Sequence, residues 1–473
     1  MRLSAISERL LPSRAILALV PYATSDAAQL PVGRIARLAL FQLSVGMAVV
    51  LLTGTLNRVM VLELAQPAWL VSVMVSLPLL FAPLRALIGF RSDNHRSLLG
   101  WRRVPFIWTG SMIQFGGLAI MPFALIVLAE PAAGPAWLGP TAAGVAFFLV
   151  GVGMHTTQTA GLALATDLAS DENRPAVVSL LYVMLLIGTI GSALAFSLLL
   201  ADFSYVRLIK IIQGAAVLTM VLNTIALWRQ ESLNPAQTDP RRARPGFRES
   251  WSLFIAEHRA KRLLLAIALG TAAFNMQDIL LEPYGGEVLG MSVAGTTGLS
   301  AVWGSGMLIA FLLSARLLSR GSDPLRIAGY GIVWGLFAFA AVIVAAPVAS
   351  KALFVTGAGL IGFGGGLFAI GTLAAAMKLG RKESKGLALG AWGAVQASAA
   401  GLAIALGGAA RDVLGHMALA GSLGPTLNDP SVAYSMVYHF EILLLAAALI
   451  ALGPIVRSAR SSDHSFDLQD FPT

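Results

Sequence analysis

The chain has 473 residues, of which 57% are apolar and only 12% charged, and its net charge is +9 at neutral pH. Soluble domains usually carry about 25% charged residues, so this composition excludes an ordinary soluble protein and predicts one that lies in a membrane. The absence of cysteine excludes disulfides, thiolate metal sites and cysteine nucleophiles.

Apolar stretches long enough to cross a bilayer, which takes roughly 20 residues as a helix, recur along the whole chain. Backbone groups in lipid must be hydrogen-bonded internally, so these stretches predict α-helices. Residues 1–31 lack the compact apolar core and cleavage site of a signal peptide and are expected to be a cytoplasmic tail. The predicted spans are 35–57, 67–89, 104–128, 140–166, 176–200, 205–228, 262–283, 295–319, 325–347, 352–378, 386–408 and 432–456.

Lysine and arginine are unevenly distributed between the segments that connect these spans. One alternating set of segments holds 28 of the 33 basic residues and the other holds 5. The positive-inside rule therefore predicts that both termini are cytoplasmic. The anionic inner leaflet accounts for the charge of +9, which argues against nucleic acid as a partner.

The longest polar stretch, 229–261, contains three prolines and divides the spans six and six. We therefore predict a cytoplasmic N-terminal tail (1–33), a six-helix half (34–228), a cytoplasmic linker (229–261), a second six-helix half (262–456) and a cytoplasmic C-terminal tail (457–473).

An internal repeat supports this division. With a shift of 211 residues, LVGVGMHTTQTAGLALATDL (149–168) aligns without a gap to LIGFGGGLFAIGTLAAAMKL (360–379). Parallel six-helix repeats are typical of the major facilitator superfamily. The predicted fold is therefore an all-α integral membrane protein of that superfamily, with twelve helices in two pseudo-symmetric halves.

Charged residues also collect at the predicted cytoplasmic ends of the first-half spans. Gly89-Phe-Arg-Ser-Asp93 resembles the start of that superfamily's cytoplasmic loop motif, and a basic group follows it. We predict a latch that joins helix ends and has a structural or gating role. Its residues are Gly89, Asp93, Arg96, Arg102, Arg103, Asp167, Glu172 and Arg174.

No constellation of residues typical of a hydrolase, nucleotide-binding protein or metalloenzyme is present, so we expect neither a catalytic residue nor a metal site. Ionisable residues are scarce within the spans. Asp278 and Glu282 are placed toward the outer end of span 7, and Glu441 lies a few turns into span 12. A midplane almost free of charge disfavours transport of a charged solute and suits an apolar client that dissolves in the membrane.

Histidines are the candidate ligands for such a client. His155 lies near the middle of span 4, His439 lies about two turns into span 12, and His416 is placed in an outer loop. A neutral imidazole can ligate the magnesium of a chlorin, and it can equally hydrogen-bond a neighbouring helix. Gln158 lies on the same helix face as His155 and can support either role.

Three stretches resemble one family in particular: RALIGFRSDNHRSLLGWRRVPFIW (85–108), ALATDLASDENRPAVVSLLYVMLL (163–186) and QDILLEPYGGEVLGM (277–291). They are similar to the PucC/LhaA family, the bacteriochlorophyll-delivery branch of the major facilitator superfamily in phototrophic bacteria. The opening of span 1, FQLSVGMAVVLLTGTLNRVM (41–60), resembles the family too.

This resemblance implies a non-enzymatic factor for assembling light-harvesting antenna complexes in the bacterial inner (photosynthetic) membrane, with the core antenna favoured over the peripheral one. The implied pigment is bacteriochlorophyll a, with carotenoid as a possible second one. The implied partners are antenna α/β polypeptides, the reaction centre, bacteriochlorophyll synthase and membrane lipids. The alternative function is secondary transport of a small solute by alternating access.

The Glu282-Pro283-Tyr284 part of the third stretch carries the most specific local expectation. Pro283 is predicted to end span 7, and the glycines at 285 and 286 are predicted to permit a sharp turn. Asp278, Glu282 and Tyr284 would then face a cleft between the halves. A rigid helix-ending turn without any ligand is the simpler interpretation of the same residues.

Overall fold

The computed structural model describes residues 23–24, 32–80, 88, 92, 101–129, 135–168, 174–232, 258–379 and 385–462. These residues form twelve helices, numbered α1 to α12, and one short strand pair. Most of the two tails and most of the predicted linker lie outside the described residues.

In the first half of the chain, α1 runs over Gly33–Glu63 and changes from α-helical to π-helical turns after Val49. The following helices are α2 (Ala68–Leu80), α3 (Val104–Ala129), α4 (Leu138–Leu168), α5 (Arg174–Leu199) and α6 (Tyr205–Leu227). The strands β1 (Ala23–Thr24) and β2 (Glu231–Ser232) pair in parallel, a two-residue exception to the all-α prediction.

In the second half, α7 begins as His258–Met276, tightens to a 3-10 turn at Gln277–Ile279 and resumes as Leu281–Glu287. The following helices are α8 (Val293–Ser319), α9 (Pro324–Ala345), α10 (Lys351–Leu379), α11 (Lys385–Leu419) and α12 (Pro430–Ser462).

Eleven of the described helices are long and apolar enough to span a membrane, and α2 adds a shorter apolar segment, Ala68–Leu79. The prediction of an all-helical, multi-pass membrane protein is therefore confirmed. The predicted ends of α1, α7, α11 and α12 are too early by 6, 4, 11 and 6 residues. In α11 the helix continues through Gly407 and Gly408 because these glycines are contact points, against Met276 of α7 and Ser72 of α2.

The first six and last six helices meet mainly along two pairs, α2 with α11 and α5 with α8. Within each half, a glycine at an equivalent place in the 211-residue repeat brings two helices together. Gly153 of α4 lies against the backbone of Gly110 in α3, and Gly364 of α10 lies against the backbone of Gly331 in α9. Close helix approach through small residues is common in membranes, and here it recurs at both positions of the repeat.

Candidate functional site

The break in α7 explains why Pro283 does not end the helix, as the sequence predicted it would. A new helical segment starts at Leu281, after Leu280 leaves ideal helical geometry at φ −103°. Pro283 is the third residue of that segment, where its missing N–H has no partner to lose. The helix therefore continues to Glu287, and the chain turns at Gly290, which has φ +59°.

The two glycines after Tyr284 are helical and serve close packing, so the predicted sharp turn at them is also wrong. A Cβ on Gly286 would collide with Leu62 of α1, and one on Gly285 would lie 3.1 Å from Phe354 of α10. Both glycines let the end of α7 approach neighbouring helices.

Tyr284 is a core residue and does not line a cleft, contrary to the prediction. Its side chain is fully buried and its ring packs against Phe354, Tyr434 and Tyr438. Its hydroxyl donates to the carbonyl of Val342 at 3.4 Å. The aromatic cluster fixes the C-terminal end of α7 against α9, α10 and α12.

Asp278 and Glu282 do line a cavity, together with Gln277, Thr53 of α1 and Ser300 of α8. The Ser300 hydroxyl donates to Glu282 Oε1 at 2.8 Å, and the Gln277 amide donates to Asp278. The cavity volume is about 70 Å³, enough for a few water molecules. Ligand pockets for organic molecules usually reach about 300–1,000 Å³, so in this conformation the cavity matches a proton or a small ion.

Glu441 adds a third carboxyl group to this region from α12. It is 0% exposed, and neither oxygen has a hydrogen-bond partner. Asp278 lies within electrostatic reach of it. Although the sequence showed all three carboxyl residues, only the packing shows that α7 and α12 bring them to one region.

At the predicted outer side, the ends of four helices are joined by a charged network that the sequence did not predict. Arg411 of α11 pairs with Glu287 of α7 at 2.5 Å and with Asp412 at 2.9 Å. Tyr434 of α12 donates to Glu287 at 2.5 Å, and Asp412 accepts from the backbone N–H of Trp69 in α2 at 2.7 Å. This network holds the start of α2 against α11 at that side. The prediction placed Arg411 in a loop because it ended the span at 408.

His155 and Gln158, two of the candidate pigment ligands, lie inside the first half. His155 is 5% exposed, and Gly151, one turn earlier on the same face, packs on Pro78 of α2. Gln158 is also buried and donates to Gln42 Oε1 of α1 at 3.3 Å. A tetrapyrrole ring at either residue would have to separate packed helices, which disfavours both as ligands.

His439, the third candidate, is exposed on the outside of α12. Its Nδ1 lies 2.7 Å from the carbonyl oxygen of Ser435. A carbonyl can only accept, so Nδ1 carries a proton and the neutral ring keeps its lone pair on Nε2. His439 is three residues from the middle of the span Pro430–Pro454, or about 4.5 Å along the axis. His416, in contrast, lies in the last turn of α11 and not in a loop.

An apolar groove opens sideways between α5, α8 and α10. Its volume is about 510 Å³, which lies in the range of organic ligand sites. Its lining residues are Ile190, Leu194, Ala301, Val302, Ser305, Gly306, Ile309, Thr356, Gly359, Leu360 and Phe363. Leu194 and Ile309 are exposed on its rim, so the groove faces the lipid.

At the predicted cytoplasmic end, Arg102 and Arg103 both pair with Asp167 of α4, the latter at 3.1 Å. Arg103 also donates to the hydroxyl of Ser92 at 2.6 Å. Glu231 of β2, which the sequence did not single out, accepts from the backbone N–H groups of residues 102, 103 and 104. These contacts join α3, α4 and the start of the linker, and the gating role of the latch stays a prediction.

The rest of the predicted latch has no described contacts. Gly89, Asp93, Arg96 and Glu172 lie outside the described residues, and Arg174 begins α5 with its side chain outside them. Among the described residues, no three His, Asp or Glu side chains group together as a metal site would require.

Comparison with known proteins identifies relatives over the whole length of the chain. Residues 55–460 match the model of the family described as PUCC protein. A Rhodobacter capsulatus protein described by its place in the puhA–bchM intergenic region is 51% identical over 99% of this chain and 100% of its own length. Protein PucC of Rhodovulum sulfidophilum is 56% identical over 84% of this chain and 88% of its own length.

Among solved structures, the nucleoside transporter NupG superposes with a TM-score of 0.66 at 15% identity. The match covers 88% of this chain and 98% of the transporter. At this identity the likeness shows the fold alone, and the predicted major facilitator fold is confirmed.

Proposed function

The chain belongs to the PucC family, and from this premise we propose that it is an assembly factor for light-harvesting antenna complexes. In this proposal it binds bacteriochlorophyll a, delivers the pigment to nascent antenna α/β polypeptides and holds those polypeptides in the inner membrane. The core antenna is favoured over the peripheral one. The reaction centre, bacteriochlorophyll synthase and a carotenoid are further proposed partners, and no step requires an enzymatic residue.

The observation that carries this proposal is the lipid-facing imidazole of His439. Ionisable and polar side chains in a membrane span almost always face the protein interior, so a histidine aimed at lipid near the midplane is unusual. Histidines that bind metals typically donate their second ring N–H to a carbonyl or carboxylate. The hydrogen bond from Nδ1 to the Ser435 carbonyl satisfies this condition.

The surroundings of His439 fit a flat apolar ring. Met436, Phe440 and Leu443 lie near it along the exposed side of α12, and each is at least 39% exposed. Their apolar surface would contact the macrocycle while Nε2 donates its lone pair to the magnesium. When bound, the pigment would supply light absorption and a Lewis-acidic metal centre, and the protein would supply the imidazole of His439 and apolar shelter.

The proposal is tested by absorption spectra of protein purified from pigment-making cells. We expect a near-infrared bacteriochlorophyll band in the wild type, lost or shifted in His439→Leu and retained in the control His155→Leu. A band that persists in His439→Leu but disappears in His155→Leu would overturn the ligand assignment. A wild-type protein that carries no pigment and co-isolates with no antenna polypeptide would overturn the function.

Secondary transport is the alternative, favoured by the two carboxyl groups in the small cavity between the halves and by the shared transporter fold. Fold alone does not establish function. This alternative predicts solute uptake or efflux in vesicles that stops when Asp278 or Glu282 is replaced by its amide. Pigment binding without any such flux would reject it.

A further inference from the structure

Three carboxyl side chains lie inside the membrane-spanning segments of α7 and α12: Asp278, Glu282 and Glu441. Glu282 is 3% exposed and Glu441 is 0% exposed. An ionised carboxylate away from water is costly unless a cation or several hydrogen-bond donors compensate it. Each of these groups therefore needs a counter-charge, donors or a proton.

Glu282 has too few donors for an ionised group. Its Oε1 accepts from the Ser300 hydroxyl, and its Oε2 has no hydrogen-bond partner. A Cβ on Gly54 of α1 would lie 2.5 Å from Oε1, so the backbone of α1 is pressed against the carboxyl group. A single hydrogen-bond donor is sufficient for a buried neutral carboxyl group, whereas a buried carboxylate with one donor would be strongly destabilised.

Glu441 has no donor on either oxygen, and the buried hydroxyl of Tyr438 beside it also has no partner. Tyr438 and Asp278 are the groups that interact with it electrostatically. Neither can supply a positive charge. An ionised Glu441 would therefore have neither a donor nor a counter-charge in this conformation.

The cations near the cavity are ion-paired with other carboxylates, and the charge of Arg58 acts on Glu282 only without a direct ion pair. Arg58 of α1 pairs with Glu63 at 2.5 Å, and Arg411 of α11 pairs with Glu287 and Asp412. The cavity lining contributed by α5 and α8 is Thr189, Ser300 and Trp303, none of which is ionisable. The charged and titratable groups facing this region are Arg58 and Glu63 from α1, Asp278, Glu282, Tyr284 and Glu287 from α7, Arg411 and Asp412 from α11, and Tyr434, Tyr438 and Glu441 from α12.

Gln277 gives an independent sign that the cavity holds a hydrogen-bond donor. Its side chain is 2% exposed and lines the cavity, and its Oε1 has no protein partner. A buried amide oxygen is normally satisfied by water or by an acidic O–H. With a volume of about 70 Å³, the cavity has room for the water that would carry a proton to Glu282.

We propose that this region is a proton-binding site, in which Glu282 in the cavity wall and Glu441, buried within electrostatic reach of Asp278, each hold a proton in the conformation described here. The proton on Glu282 comes from water in the cavity and returns to water when the acid ionises, and no other bond changes. A conformation that admits more water solvates the carboxylate and favours release. Proton binding is therefore linked to the shape of the bundle, whichever client the protein serves.

The test is infrared spectroscopy of the full-length purified protein at neutral pH, in H2O and in D2O. We expect a C=O stretch from protonated carboxyl groups that shifts in D2O. Glu282→Gln and Glu441→Gln should each remove one component of the band. Glu63→Gln, at a partly exposed carboxylate that is paired with Arg58, is the matched control and should remove none.

A wild-type spectrum without a protonated carboxyl band would overturn the proposal, and this result does not depend on whether the variants fold. A band that both core variants leave intact would overturn the assignment to Glu282 and Glu441. We also expect the same unfolding midpoint in sodium chloride as in choline chloride. If sodium stabilised the wild type and this stabilisation were lost in Glu282→Gln, the site would bind a metal cation and the proposal of a proton site would be overturned.

Discussion

Replacing Glu231 with alanine removes the acceptor for three backbone N–H groups at the start of α3. Its carboxylate oxygens lie 2.8 Å from the N–H of Arg102, 3.0 Å from that of Arg103 and 2.8 Å from that of Val104. A hydrogen bond to a charged group contributes about 1.5–3 kcal/mol, whereas loss of an N-terminal cap that water can replace costs about 1 kcal/mol. Glu231 is 8% exposed, so water replaces it incompletely and we expect a loss of about 3 kcal/mol in the free energy of unfolding.

The assay is denaturant titration in mixed micelles, followed by tryptophan fluorescence. Glu231→Gln keeps one acceptor oxygen but loses the charge that favours a helix N-terminus, so its loss should be about half as large. Asp202→Ala is the control, since Asp202 pairs with Arg207 on the surface and its side chain is 88% exposed. That variant should match the wild type. If Glu231→Ala also matched the wild type, the docking of the linker start on α3 would be refuted.

Two further substitutions test the contacts between helices. Gly153→Ala should lower the free energy of unfolding by about 2 kcal/mol, because the added Cβ would collide with the backbone of Gln114. The control is Gly116→Ala, whose Cβ would have nothing within 4 Å and which should be neutral or slightly stabilising. Equal effects of the two variants would contradict the close approach of α3 and α4. Asp412→Ala removes the acceptor for the N–H of Trp69 and should lower the free energy of unfolding by about 1–2 kcal/mol. It should also increase the chemical labelling of cysteines introduced into α2 at the predicted outer side. Unchanged labelling would show that the charged network does not hold the outer side closed.

The fold was predictable from the sequence because span length, apolar composition and the 211-residue repeat all act over many residues. The ends of the helices were harder to predict from the sequence. A proline inside a helical stretch normally ends the helix, yet Pro283 lies in the first turn of a new helical segment, because the chain breaks three residues earlier at Leu280. The extension of α11 to Leu419 similarly depends on contacts of its glycines with α7 and α2.

For the candidate site, the sequence indicated which residue types could bind a ligand but not which of them are buried and which are exposed. An apolar helix shows no clear periodicity that separates its lipid-facing side from its buried side, so residue type put His155 first among the histidines and could not separate a pigment ligand from a packing residue. Packing separates them, because α4 is enclosed by α2 and α3 at His155 while α12 exposes His439. The contacts of Glu231 and Arg411 depend on residues more than 100 positions away, which no local pattern reports.

The most direct test of the central claim is the near-infrared absorbance of antenna complexes in membranes from cells that lack this protein. Complementation with the wild-type chain should restore the antenna bands. His439→Leu, expressed at the same level, should restore them only in part, and His155→Leu should restore them fully. Antenna bands of equal strength with and without the protein would contradict the assembly function itself.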